Sequence, residues 1–77
     1  MNKARRKSIQ DVADQLEELK SALEEIQGEE EEYRDNIPEN LQASERYEKA
    51  DEACDALSEA VSSLEDVITS LGELAEG

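Results

Sequence analysis

Residues 9–33 read IQDVADQLEELKSALEEIQGEEEEY, and their apolar side chains recur at alternating steps of three and four residues. The recurring positions are Ile9, Val12, Leu16, Leu19, Leu23, Ile26 and, after Glu30 interrupts the row, Tyr33. This is the a/d heptad spacing of a helix that buries a narrow seam against a second helix. The stretch therefore predicts one long amphipathic helix over about residues 3–33.

Residues 47–75 read YEKADEACDALSEAVSSLEDVITSLGELA and repeat the same spacing. The repeating positions are Tyr47, Ala50, Cys54, Leu57, Val61, Leu64, Ile68, Leu71 and Ala75. A further row, made of Ala53, Ala60, Val67 and Leu74, recurs every seven residues beside it. We therefore predict a second helix over about residues 44–75, with a wider apolar face than a two-helix hairpin covers. The extra row needs another chain.

The joint between the helices covers residues 34–43. Pro38 disfavours helix at Ile37 and suits the first turn of a helix, while Ser44 offers a side-chain cap for the second helix. Two helices of matched length with a compact joint predict an antiparallel hairpin. The predicted fold is all-α: residues 1–77 form one helical-hairpin domain that assembles into a homo-oligomeric helical bundle. The predicted oligomer core consists of Leu57, Val61, Leu64, Val67, Ile68 and Leu71.

The 77 residues carry 22 acidic and eight basic side chains, a net charge of −14. Such a field repels nucleic acid and anionic membranes, attracts basic proteins, and argues against direct nucleic-acid binding. No apolar run exceeds two residues, which argues against a membrane span or a signal-peptide core. A single cysteine suits a reducing compartment. We expect a cytoplasmic protein.

Catalysis lacks its usual residues. Without histidine there is no histidine acid–base pair, no triad and no Glu-x-x-His metal motif. Cys54 falls on the apolar face and is predicted to be a buried structural thiol. The run Glu29–Glu32 lacks a calcium-loop motif and is predicted to be a solvated helix end. We therefore expect no enzyme, no catalytic residue, no metal and no cofactor.

The basic residues are concentrated at the start of the chain, where residues 1–10 contain no acid. Positive charge at a helix start opposes the macrodipole, so tertiary contacts must account for it. One interpretation is pairing with Glu73 and Glu76 or, across two chains, with Glu30–Glu32. The other is a pocket between two chains for a phosphorylated ligand such as a cyclic nucleotide. The candidate anion-site residues are Arg5, Arg6, Lys7, Tyr33, Arg34, Arg46 and Tyr47.

Acidic helix faces also admit two interpretations. Rows of carboxylates imitate the phosphates of duplex DNA, which carries one charge per about 1.7 Å of axis, and so fit the nucleic-acid site of a basic protein. Alternatively, they only keep a helical oligomer in solution. The candidate partner-binding face lies on the first helix and consists of Glu17, Glu24 and Glu31.

The joint reads DNIPENLQ over residues 35–42 and is followed by SERYE over residues 44–48. Together with the Arg5-Arg6-Lys7 start, it resembles a group of uncharacterised small acidic helical proteins of phages, prophages and gut Firmicutes. The resemblance implies a mobile-element setting in a bacterial host cell. It favours an accessory protein that acts by stoichiometric binding and inhibits a host defence or nucleic-acid-binding protein. The alternatives are an oligomeric sponge for a nucleotide signal and a plain coiled-coil module that binds only itself.

Overall fold

The computed structural model describes residues 1–77 as two long α-helices joined by a short turn. Helix α1 spans Lys3–Asp35, a 3₁₀ turn spans Glu39–Leu41, and helix α2 spans Glu45–Glu76. The prediction of an all-helical fold with two packed helices is confirmed. Helix α1 continues two residues beyond its predicted end. The hairpin is a rod that measures 59 × 14 × 12 Å between Cα atoms.

Side-chain caps fix the start of each helix. Asn2 accepts a hydrogen bond from the backbone N–H of Arg5 at 2.7 Å. Ser44 accepts one from the backbone N–H of Tyr47 at 3.4 Å, so the predicted cap of α2 is confirmed. In the joint, Pro38 is extended and Ile37 is only 3 % exposed. Ile37 therefore anchors the joint against the helices, a role that its position before proline did not reveal.

Two ion pairs between the helices define an antiparallel register. Nη1 of Arg34 lies 2.9 Å from the carboxylate of Asp51, and Nζ of Lys20 lies 3.7 Å from the carboxylate of Glu65. Lys20 lies two heptads before Arg34 on α1, and Glu65 lies two heptads after Asp51 on α2. The helices therefore pack without a register slip along this length.

The seam between the helices follows one heptad a/d row on each of them. In α1 the buried and half-buried residues of this row are Arg6, Ile9, Ala13, Leu16, Lys20, Leu23, Gln27, Glu30 and Arg34. In α2 they are Tyr47, Ala50, Cys54, Leu57, Val61, Leu64, Ile68, Leu71 and Ala75. The α2 row is the one predicted from its sequence. With Ala13 and Tyr47 both at position a, every other residue receives a heptad letter.

The predicted seam of α1 is wrong in four of its seven positions. Val12, Leu19, Ile26 and Tyr33 are 46–59 % exposed and occupy position g beside the seam. The a row of α1 faces α2 instead, because Arg34 and Lys20 pair there with acids of α2 and the small Ala13 permits close approach. Hydrophobic spacing alone could not choose between two neighbouring rows that both repeat every seven residues.

The hairpin buries little of itself. Only Ala13, Ile37, Ala50 and Cys54 are buried. The accessible surface is 5643 Å², whereas a compact monomer of 8.6 kDa exposes about 4,700 Å² by the usual mass scaling. A two-helix rod thus leaves roughly a fifth more surface in water than a globular chain of this mass. Most large apolar side chains of the seam are only half-buried.

Candidate functional site on the flanks of the hairpin

The hairpin has two unlike flanks, one on each side of the seam. Asp51 and Glu65, which pair with cations of α1, both occupy position e of α2. On the opposite side, the guanidinium carbon of Arg46 lies 5.9 Å from the ring centre of Tyr33, and both residues occupy position g. The e positions of the two helices therefore share one flank, and the g positions share the other.

The acidic flank is the side formed by the e positions. On α1 it holds all three residues predicted as a partner-binding face, and α2 adds two acids. Successive e positions lie about 10.5 Å apart along a helix, so the α1 carboxylates form a straight, evenly spaced row. The acidic flank consists of Glu17, Glu24, Glu31, Asp51 and Glu65.

Directly opposite the seam, each helix carries a row of acids at position f, and these two rows are called the outer rows. All of their side chains are exposed. The sequence analysis did not identify these rows, although heptad letters assigned from the correct seam would have placed them at position f. The outer rows consist of Asp11, Glu18, Glu25 and Glu32 on α1 and of Glu45, Glu52, Glu59, Asp66 and Glu73 on α2.

Lys20 links the seam to the acidic flank. Its ammonium group lies 3.4 Å from the carboxylate of Glu17 and 3.7 Å from that of Glu65, and its side chain is 12 % exposed. Burial lowers the pKa of Lys20, but the negative charges of Glu17 and Glu65 outweigh burial and raise the pKa above the ordinary 10.5. Lys20 thus stays charged and ties both helices together.

Arg34 forms the corresponding contact near the joint. It donates hydrogen bonds to Asp35 at 3.1 Å and to Asp51 at 2.9 Å, and these two bonds raise its pKa. Cys54 is buried nearby, as predicted. Burial raises the pKa of its thiol above the ordinary 9.0, although the positive charge of Arg34 opposes this shift. The thiol is therefore neutral at physiological pH and packs as an apolar group.

The seven predicted anion-site residues fall into two groups at opposite ends of the rod. Residues 5–7 lie in the early turns of α1, whereas Tyr33, Arg34, Arg46 and Tyr47 lie beside the joint. One chain does not bring the two groups together, because the rod is 59 Å long. At the joint, the guanidinium of Arg34 is already held by two carboxylates, and Arg46 lies over the ring of Tyr33.

At the open end, where the two chain ends meet, a shallow groove of about 450 Å³ lies between the helices. Its lining includes Arg6 and Glu73, yet no ion pair joins them. Nη2 of Arg6 instead donates a hydrogen bond to the Met1 carbonyl at 3.0 Å, and its Nε is buried without a partner. Lys7 pairs with Asp11 at 3.5 Å within α1. The predicted pairing with Glu73 and Glu76 is therefore replaced by contacts within the first turns of α1.

The apolar flank is the side formed by the g positions. Here the exposed row of α1 lies beside the extra row that the sequence showed on α2. Of the predicted oligomer core, Val67 lies on this flank and is 46 % exposed, while the other five residues line the seam and are half-buried within one chain. The apolar flank consists of Val12, Leu19, Ile26, Tyr33, Ala60, Val67 and Leu74.

Comparisons with protein-family models, with curated proteins and with solved structures give no match to this chain. Neither helix has a stretch that is both long and apolar enough to cross a membrane. No three side chains of His, Cys, Asp or Glu are grouped so that they hold a metal ion. The geometry of the flanks and outer rows is therefore the basis for a functional proposal.

Proposed function

We propose that this chain is a small acidic binding protein of a phage or mobile element, which occupies the nucleic-acid site of a basic host protein and inhibits it stoichiometrically. The observation that carries the proposal is the placement of carboxylates on α1. Positions e and f both hold glutamate in three successive heptads, so paired carboxylates repeat about every 10.5 Å along one straight edge. These pairs are Glu17-Glu18, Glu24-Glu25 and Glu31-Glu32.

Regular spacing matters because a nucleic-acid site reads a periodic row of phosphates. In this hairpin the carboxylates lie on one continuous helix whose start is capped by Asn2, so the row is ordered before binding. A disordered acidic segment has the same charges but loses conformational freedom when it binds. The order of the row therefore favours a phosphate mimic over a merely solubilising surface.

The charge density of one hairpin is lower than that of DNA. Its 14 net negative charges extend over 59 Å, which is one charge per about 4 Å, against about 1.7 Å for the duplex. Two hairpins side by side halve this spacing to about 2 Å. Assembly with further copies of the chain is therefore part of the proposed function, and the small core of the single hairpin supports it.

A displacement assay tests the proposal. Purified basic DNA-binding proteins from a bacterial host are loaded with a fluorescent DNA duplex, and the chain is titrated in at low and at high salt. We expect release of the duplex by at least one of these proteins. The apparent affinity should fall steeply with salt, because charge attraction dominates the contact. If the chain displaces DNA from none of them, or if displacement is insensitive to salt, the proposal is wrong.

A matched pair of variants localises the surface. The triple change Glu17→Lys, Glu24→Lys, Glu31→Lys should abolish displacement while circular dichroism shows an intact hairpin. The control, Glu52→Lys, Glu59→Lys, Asp66→Lys, alters the net charge by the same amount on the outer row of α2. It should keep most of the activity. Equal losses in both variants would show that only total charge matters and that the acidic flank is not a binding face.

A nucleotide-binding role is the second candidate, and one observation favours it. Arg5, Tyr33 and Arg46 all lie on the apolar flank, so an assembly with opposed ends brings Arg5 of one copy toward the aromatic and cationic pair of the next. Calorimetry with a panel of cyclic nucleotides tests it. Arg5→Ala or Arg46→Ala should weaken binding by about 1.5–3 kcal/mol, the size of a charged hydrogen bond. Lys3→Ala, which removes a charge from an exposed position on the opposite side of α1, should not.

A further inference from the structure

The apolar flank forms one continuous face along the rod. On α1 its four members occur once per heptad from Val12 to Tyr33, and on α2 Ala60, Val67 and Leu74 do the same. The antiparallel register brings the two rows alongside each other, since Tyr33 of the first row lies beside Arg46, which occupies the g position two heptads before Ala60 on α2. Monomeric proteins seldom expose an apolar face of this length.

The area of a whole side of the rod suits a stable protein interface. The apolar flank, from Val12 to Tyr33, covers about 32 Å of this side at 1.5 Å per residue. The side itself is 59 Å long and 12–14 Å wide between Cα atoms, about 700–830 Å² per copy, so two copies in contact along whole sides bury about 1,400–1,650 Å², within the range of about 1,200–2,000 Å² for specific complexes. A stable dimer therefore needs the apolar flank and the contacts at the ends of the rod together.

The charges at the two ends of the rod determine how two copies are oriented. At the open end, residues 1–10 and 66–77 carry four basic and three acidic side chains, a balance of +1. Around the joint, residues 29–52 carry three basic and ten acidic side chains, a balance of −7. Two copies with their joints together would place −7 against −7. Opposed ends instead place the open end of one copy, with its net charge of +1, beside the joint of the other, with its net charge of −7. Arg5 and Arg46 then lie on the same side of the interface, so the attraction comes from the acids around the joint.

We infer that the apolar flank binds a second copy of this chain, flank to flank, with the two joints at opposite ends of a four-helix bundle. Both acidic flanks and all outer rows then remain in water. This inference rests on the proposed function in one respect, because imitation of DNA needs the higher charge density that two paired hairpins provide. The dimer itself is testable without any partner protein.

Light scattering at micromolar concentration gives the first test. The parent chain should have a mass of about 17 kDa, twice the 8.6 kDa of one copy. Leu19→Asp places a carboxylate in the middle of the apolar flank on a side chain that is 59 % exposed in the hairpin. It should weaken dimerisation at least about 100-fold, because a carboxylate is buried twice in each dimer. Ser21→Asp, an exposed position on the opposite side of the same helix, should dimerise like the parent.

Electron paramagnetic resonance distances between spin labels test the orientation. The label is attached to Asn40→Cys in the joint, on a Cys54→Ala background, after the melting profile of the background variant is shown to match the parent. Opposed ends predict a distance between copies of about 50 Å or more, given the 59 Å rod. Joints at the same end predict about 20–30 Å, since packed helices lie only about 8–10 Å apart.

The outcomes separate the two proposals. A folded monomeric parent, or a short label distance, overturns the dimer inference whatever the displacement assay shows. If Leu19→Asp unfolds, the mass of the parent chain and the label distance still decide the matter. A dimer with a long label distance that displaces DNA from no basic protein leaves this inference standing and overturns only the proposed inhibitory role.

Discussion

Two neighbouring rows of α1 behave in opposite ways. The row with Ala13, Lys20, Gln27 and Arg34 lies in the seam, whereas the row one residue earlier, from Val12 to Tyr33, lies in water although it is far more apolar. A hydrophobic ranking of the rows would reverse this arrangement. The difference shows that the seam is chosen by the partner helix, whose e-position acids bind the cations of the first row.

The polar row also gives the hairpin a single register. Lys20 and Arg34 both meet an acid of α2 at the observed alignment, and no other alignment satisfies both. Sliding the helices by one heptad would separate both pairs, whereas an all-leucine seam would tolerate the slip. The apolar row, which is not needed to define the register, remains free for another contact.

The largest expected effect breaks the seam itself. Ala50 is 3 % exposed in α2, and Ala50→Asp would bury a carboxylate that has no cationic partner in the seam. We expect a loss of at least about 3 kcal/mol in the free energy of unfolding. Urea denaturation followed by circular dichroism measures it. Ser62→Asp, an exposed change in the same helix away from the apolar flank, should alter stability by less than about 0.5 kcal/mol, and equal effects would contradict the assigned seam.

A smaller effect sharpens the contrast between the rows. Gln27 is half-buried at a seam position and donates a hydrogen bond to Glu31 at 3.1 Å. Gln27→Leu should stabilise the hairpin by about 1 kcal/mol, roughly half the value for complete burial of a leucine side chain. Ser21→Leu, at an exposed position on the side opposite the apolar flank, should change stability by less than about 0.5 kcal/mol. A stabilisation by Ser21→Leu that matches Gln27→Leu would mean that α1 turns a different face to α2.

Added salt should raise the melting temperature, because it screens the repulsion between the carboxylates of the acidic surface. Twenty-two carboxylates on one small rod repel each other, and added salt or mild acidification toward pH 5 relieves this repulsion. We expect the melting temperature to rise by about 2–4 °C between low and moderate salt, which corresponds to about 0.5 kcal/mol for a chain of this size. A steady fall of the melting temperature with salt would show that the ordered ion pairs outweigh the repulsion.

The smallest effect concerns alkaline pH. Folding raises the pKa of Lys20 above 10.5 and that of Cys54 above 9.0. A raised pKa favours the protonated form in the folded state, so the stabilisation is complete below these values and is lost as the pH rises through and above them. The melting temperature should therefore decline above pH 9. In Cys54→Ala the decline should begin only near the lysine range, and a decline unchanged in that variant would exclude the thiol.

Much of the fold was predictable from the sequence. Regular spacing in both helices, Pro38 at the joint and the Ser44 cap indicated two long helices, and the seam row of α2 was identified in full. The choice between rows of α1 was not predictable, because it depends on contacts such as Lys20 with Glu65 that exist only once the helices pair. The acids at Glu17, Glu24 and Glu31 were singled out from the sequence. Their common flank with Asp51 required the register.

The lone thiol of Cys54 also reports on how often the hairpin opens. It is 4 % exposed and neutral at physiological pH. It lies on α2, one helical turn after Asp51, which pairs with Arg34. A thiol reagent in solution reaches it only when the helices separate near the joint. The labelling rate, divided by that of a free thiol under the same conditions, therefore gives the population of the open state. Its dependence on protein concentration shows whether opening requires the copies to dissociate first.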